Sequence, residues 1–173
     1  MNDLKGFESF INTLNKNELK EELKKLYESL EQVKVHYSAI NAGSDKLDRK
    51  LLEKHEEQIT KAIYPNKYMQ GGLDTDKVEN ILKPFRSNST IKYYLELGLF
   101  AVEECTNIAN EFGGDFGEDF FIYFEELFED IVQRISRGNL EEKYKIRLID
   151  MTNSAFDGYG HYDQLKDVFS EYF

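Results

Sequence analysis

Residues Ile91 to Phe112 restrict the fold of this chain more than any other stretch. Ile91, Leu95, Gly98, Val102, Cys105, Ala109 and Phe112 recur at steps of four and three, which puts all seven on one stripe of an α-helix. Leu97, Leu99 and Phe100 fall outside that stripe. A helix that is apolar on more than one side must be covered on more than one side, so the spacing predicts a central helix. Gly98, Ala101, Cys105 and Ala109 are small and nearly in line, which lets a neighbouring helix approach closely there.

The flanking sequence supplies further helices and no convincing strand. The first dozen residues, with Phe7, Phe10 and Ile11, suit a short helix, and 1–16 reads as an N-terminal segment ahead of a single all-helical domain over 17–173. Asn17 offers an N-cap to a long run in which Leu19, Leu23, Leu26, Leu30, Val33, Tyr37 and Ile40 form a narrow seam. Such a seam suits a helix hairpin within the chain, and it also permits a dimer. Asp45 caps a second long helix on Leu47, Leu51, Leu52, His55, Ile59, Ala62 and Ile63, closed by Pro65 and antiparallel to the first. Asp74 or Asp76 starts a short helix on Val78, Ile81 and Leu82, with Asp76 and Glu79 at capping-box spacing and Pro84 at its end.

The central helix follows one of the caps between Ser87 and Thr90 and stops at Gly113 and Gly114. Asp115 with Glu118 gives the next capping box, for a helix to about Arg137 on Phe120, Phe124, Leu127, Ile131 and Ile135. Asn139 with Glu142 caps another, on Leu140, Tyr144, Leu148, Met151 and Ala155, and a last helix carries Tyr162, Leu165, Val168, Phe169 and Tyr172. The prediction is an all-α fold of six or seven helices, in stacked antiparallel pairs or an irregular bundle around a central helix at about 90–112.

Composition permits a real core. Hydrophobic residues make up 40% of the 173 and aromatic residues 14%, more than a disordered segment carries despite the 32% charged. The one cysteine, Cys105, sits inside the apolar stripe, so no intrachain disulfide can form and a buried small hydrophobe is expected, as suits a reducing cytoplasm. No run approaches the ~18 apolar residues of a membrane span, and the first residues lack a signal-peptide pattern. Expected is a cytoplasmic protein with no membrane partner.

The net charge of −11 is concentrated in one region. Between Lys92 and Arg134 there is no Lys or Arg, while eleven acids fall there, and outside this region acids and bases balance. Direct nucleic-acid binding is disfavoured, since affinity for phosphates comes from Lys and Arg releasing counterions. A basic protein is the partner such a charge favours.

Assembled catalytic chemistry is absent from the sequence. No Glu-x-x-His pair, cysteine pair or His-x-x-x-His spacing supports a metal site, and Gly113 to Asp119 lacks the spacing of a calcium or phosphate loop. Cys105 is expected to be buried, and Ser136 and Ser154 lie in no nucleophile-elbow context. No catalytic residue, metal or cofactor is therefore assigned. Two constellations remain as sites. One is the acidic field at the helix junction, Glu103, Glu104, Glu111, Asp115, Glu118 and Asp119, read as a docking surface or as a solvated face. The other is the turn Asp157 to Asp163, where two glycines allow a sharp bend and Tyr159, His161 and Asp163 crowd donors and acceptors into a ligand pocket or a structural turn.

The order of features resembles a family of bacterial proteins of unknown function. It comprises a Leu-x-Lys-x-Glu-Leu helix start (Leu14, Lys16, Glu18, Leu19), an aromatic-Pro hinge (Tyr64, Pro65), a small-residue central helix and an aromatic-acidic helix, then the Gly-aromatic-Gly-His turn and a terminal Glu171-Tyr172-Phe173. The similarity runs from about Leu14 to Phe173 and implies an all-helical fold with no assigned activity. The loop Asn66 to Gly72 departs from the basic segment expected in that family.

The reading that follows is a non-enzymatic, cytoplasmic interaction module, monomeric or homodimeric, presenting an acidic helical face to a basic partner. The alternatives are a ligand binder or enzyme using the turn 157–163, and an acidic nucleic-acid mimic.

Overall fold

The computed structural model describes residues 4–30, 33–34, 36–37, 49–64, 66, 72–87 and 90–173. Among them are eight α-helices and one 3-10 turn, one helix beyond the upper sequence count, because the N-terminal segment forms the separate helix α1 (Leu4–Thr13). Helix α2 (Lys16–Ser29) is capped by Asn15 and not by Asn17. Asn15 Oδ1 accepts from the backbone N–H groups of Asn17 and Glu18 at 2.9 and 3.1 Å, and Glu18 reaches back to the Asn15 N–H at 2.8 Å. That reciprocal box satisfies free donors at the helix start, whereas Asn17 already lies inside the first turn.

The long seam predicted from Leu19 to Ile40 does not form one helix. At Leu30 the backbone turns extended, φ −114° and ψ 113°, and the next described residues, 33–34 and 36–37, are helical. Neither α1 nor α2 buries a residue. Ile40, the cap at Asp45, Leu47 and Pro65 fall outside the described residues, as does most of the loop after Pro65.

Helix α3 (Arg49–Ile63) buries Leu52, His55, Ile59, Ala62 and Ile63, the face its spacing predicts. Asp74, the first of the two proposed starts, caps α4 (Thr75–Leu82) by accepting from the Lys77 N–H at 2.9 Å. The 3-10 turn Lys83–Phe85 then drives Phe85 into the core, edge-on to His55 and stacked on Tyr93. Thr90 precedes α5 (Ile91–Phe112) without capping it, because its hydroxyl donates to the Phe85 carbonyl at 2.8 Å and so pins the turn instead.

Helix α5 is the central element. Twelve of its 22 residues are buried, on several sides, and Gly113 ends it in the left-handed conformation at φ 85°. It packs against α3 and α6 (Glu118–Arg137), while α7 (Glu141–Ser154) and α8 (His161–Tyr172) pack on each other and α8 covers α6. Gly98 makes the α5–α6 approach possible: a Cβ there would meet Ile131 Cδ1 at 2.5 Å. Two predicted caps are corrected. Gly117, at φ 86°, precedes α6 with no side-chain cap from Asp115, and Leu140 precedes α7 because Asn139 is itself left-handed at φ 52°. Among the described residues no helix is long and apolar enough to cross a membrane.

Candidate functional site

Helices α5 and α7 consume part of the acidic field. Arg147 of α7 forms a fork with Glu103, Nε to Oε1 and Nη2 to Oε2 both at 2.7 Å, and its Nη1 reaches Glu96 at 2.9 Å. Lys143 and the Tyr144 hydroxyl also donate to Glu96, at 2.9 and 2.8 Å. Burial alone would raise the Glu96 carboxyl, yet the Lys143 and Tyr144 hydrogen bonds outweigh it and hold it below the ordinary value. Glu104 accepts from Thr60 and Asn107, both at 3.1 Å. Glu103 and Glu104 are therefore half-buried structural groups, and the exposed acids are Glu111, Asp115, Glu118 and Asp119. Among the described residues none of these four forms an ion pair within the chain.

The turn 157–163 comes to the same junction. The left-handed residues Gly114 and Gly160, together with Tyr159 at φ 54°, fold two loops onto each other. Phe156 fills the space that a side chain at Gly114 or Gly158 would need, and stacks on Phe121. The Tyr159 ring also stacks on Phe121, while its hydroxyl reaches toward Asp115 at 3.4 Å, a long hydrogen bond. Two constellations, joined by residues 44 apart in sequence, thus share one surface.

Tyr159, His161 and Asp163 themselves do not converge. Tyr159 is 56% exposed and His161 0%, while Asp163 is exposed on the first turn of α8. His161 lies instead beneath the turn, tilted against Phe121, with Nδ1 2.9 Å from Glu125 Oε1 of α6. A carboxylate accepts, so Nδ1 carries a proton, and Nε2 is buried with no hydrogen-bond partner among the described residues. Cys105 is also fully buried, and burial, then the Glu125 charge, pushes its thiol well above the ordinary value.

A second polar cluster escaped the sequence reading. Between α4, α5 and α6 lies a cavity of about 340 Å³ lined by Glu79, Arg86, Tyr94, Tyr123, Glu126 and Asp130. Tyr94 donates to Asp130 at 2.7 Å, Arg134 donates to the same oxygen at 2.8 Å, and Arg86 donates to Glu79 at 2.7 Å. Arg86 and Arg134 both lie over the Tyr94 ring, 5.4 and 5.1 Å from its centre. Burial, then the Asp130 bond, drives the Tyr94 hydroxyl far above its ordinary pKa; burial, then the Glu79 charge, does the same for Tyr123. Both are neutral phenols at any physiological pH. The Tyr123 hydroxyl is buried, with no hydrogen-bond partner at close range among the described residues.

The missed residues left signals. Glu125 falls in the inner stripe Phe121, Glu125, Phe128, Val132, where a carboxylate demands a partner. Asp119, Tyr123, Glu126 and Asp130 follow at steps of four, three and four on another face of the same helix.

A model of a protein family described as a family of unknown function, DUF6155, matches residues 2–171. No curated protein and no solved structure matches the chain.

Proposed function

The chain belongs to this DUF6155 family of unknown function, and from its surface we propose a non-enzymatic protein-interaction module that docks a basic partner on the α5–α6 junction. The observation that carries the reading is the approach of Tyr159 to Asp115, which joins an exposed aromatic ring to the exposed acids. Glu111, Asp115, Glu118 and Asp119 supply the field that steers a basic chain, and Tyr159 supplies a rigid amphipathic anchor of the kind enriched at binding hot spots. Stacking on Phe121 holds that ring in place, so little side-chain entropy is lost when a partner covers it. Against catalysis at the turn stand the full burial of His161 and Cys105 and the exposure of Tyr159 and Asp163.

The test is a tagged purification from the native host at low and at moderate salt, using the wild-type chain and a variant with Glu111, Asp115, Glu118 and Asp119 all changed to Lys. A basic protein retained at low salt, lost as the Debye length falls to about 8 Å, and lost in the reversed variant supports the reading. Partners indifferent to the reversal overturn it.

A further inference from the structure

Helices α1 and α2 contribute nothing to the core: no side chain of either is buried or belongs to it. On α1, Leu4, Phe7 and Phe10 step by three along one face and are 63, 55 and 51% exposed. On α2, Leu23 and Leu26 are 43 and 38% exposed. With Val33, Tyr37 and Pro84 these two leucines line a mostly apolar groove of about 520 Å³ between α2, residues 33–37 and the 3-10 turn. Among the described residues, the chain thus offers an apolar helix face and an apolar groove, and leaves both open.

Their size points to a second copy as the occupant. At roughly 200 Å² for a large side chain, the exposed apolar residues of α1 and α2 present about 750 Å² between them, more than a lone soluble chain usually shows and close to the ~800 Å² per partner of a stable interface. Charge points the same way. Residues 4–30 hold five lysines and five glutamates, so all of the net −11 lies elsewhere. Two copies can meet through this arm without opposing each other's charge, whereas contact through the acidic junction would repel. The groove carries Lys83 and no acid among its lining residues, and Glu8 stands at the edge of the apolar face of α1 while Lys5 lies behind it. Helix α1 reaches α2 through Leu14 and Asn15 alone, and the Asn15–Glu18 box fixes an entry that leaves Phe7 and Phe10 outside. A face and a groove on the same chain are self-complementary, as a two-fold pair requires, and exchanging an identical element is a low-cost route to a dimer.

We propose that the chain forms a two-fold dimer by exchange of α1, with Phe7 and Phe10 of one copy entering the groove at Leu23, Leu26 and Pro84 of the other and Glu8 lying beside Lys83. The arm is separate from the acidic junction, so this dimer and the docking of a basic partner fail independently.

Sedimentation equilibrium of the whole chain, from low to high micromolar concentration, tests it. A monomer–dimer equilibrium is expected that does not weaken as salt rises, unlike docking through exposed charges. Changing Phe7 and Phe10 together to Glu should weaken self-association about a hundredfold or more, the loss of two large buried side chains. The fold should survive, because neither ring is buried in the chain itself; an unchanged thermal melt at a concentration where the chain is monomeric checks this. Lysine at Glu118 and Asp119 should leave the dimer intact. On oxidation, chains carrying Phe10→Cys should cross-link to chains carrying Lys83→Cys more than either cross-links to itself, with the buried Cys105 taking no part. A monomer at every concentration, a dimer that survives the Phe7 and Phe10 changes, or mixed chains that do not cross-link would overturn the proposal. So would a cross-link formed within a single chain carrying both cysteines, which would show α1 closing over its own groove.

Discussion

His161 Nδ1 lies 2.9 Å from Glu125 Oε1, with the imidazole wholly buried and its other nitrogen facing no partner. The pair joins the first residue of α8 to the middle of α6, across an aromatic layer that includes Phe121. Glu125→Ala would leave both ring nitrogens buried and unpaired, which should cost about 2–4 kcal/mol. Replacing both members, Glu125→Leu with His161→Phe, should recover most of that loss, because no polar group is then stranded. Urea midpoints of the two single variants and the double variant decide it, and a Glu125→Ala midpoint at the wild-type value would show that the pair does not hold α8.

The Arg147 fork makes a second prediction, which has a pH dependence. Removing it in Arg147→Ala strands the half-buried Glu103 carboxylate and takes one of three partners from Glu96, at a cost of about 1.5–3 kcal/mol. Because the folded-state pKa of Glu96 is lowered, its contribution is fully present above the unfolded carboxyl value of about 4.3 and is lost as pH falls through the lowered value. Stability should therefore decline from about pH 4 downward in the wild type. In Arg147→Ala, where Lys143 and Tyr144 still hold Glu96, that acid limb should persist and be only slightly shallower, which denaturant melts at several pH values would measure.

Close packing of the central helix can be tested at Gly98. A methyl group there would sit 2.5 Å from Ile131 Cδ1, so Gly98→Ala should cost about 1–2 kcal/mol by overpacking. Valine at 131 lacks the clashing carbon. The Gly98→Ala change should therefore cost much less in an Ile131→Val background, and the coupling in a double-mutant cycle should be about 1 kcal/mol.

These residues mark what the sequence makes legible. The burial of α5, the small-residue approach at Gly98, the left-handed stop at Gly113 and the buried Cys105 all follow from periodicity and residue size, which act locally. The caps predicted at Asn17, Asp115 and Asn139 do not form: Asn15 takes the first, while Gly117 and Leu140 precede α6 and α7 with no side-chain cap, a choice that depends on the folded backbone and not on the polar residues nearby. The break at Leu30 was hidden by an apolar spacing that continues through it. Most of the site was hidden for another reason. Glu96 and Arg147 are 51 residues apart and Tyr94 and Asp130 are 36 apart, so their pairing depends on the packing of whole helices. The acidic field looked uniform in sequence, and the fold divides it into paired and exposed halves.

The two tyrosines beside one cavity should respond in opposite ways. Tyr94→Phe removes a hydroxyl that donates to Asp130 at 2.7 Å within a network shared with Arg134, so it should destabilise by about 1–2 kcal/mol. Tyr123→Phe removes a buried hydroxyl that donates to nothing, so it should be neutral or stabilising by up to about 1 kcal/mol. Thermal melts of the two variants separate these roles. If Tyr123→Phe proves as destabilising as Tyr94→Phe, its hydroxyl is part of the architecture.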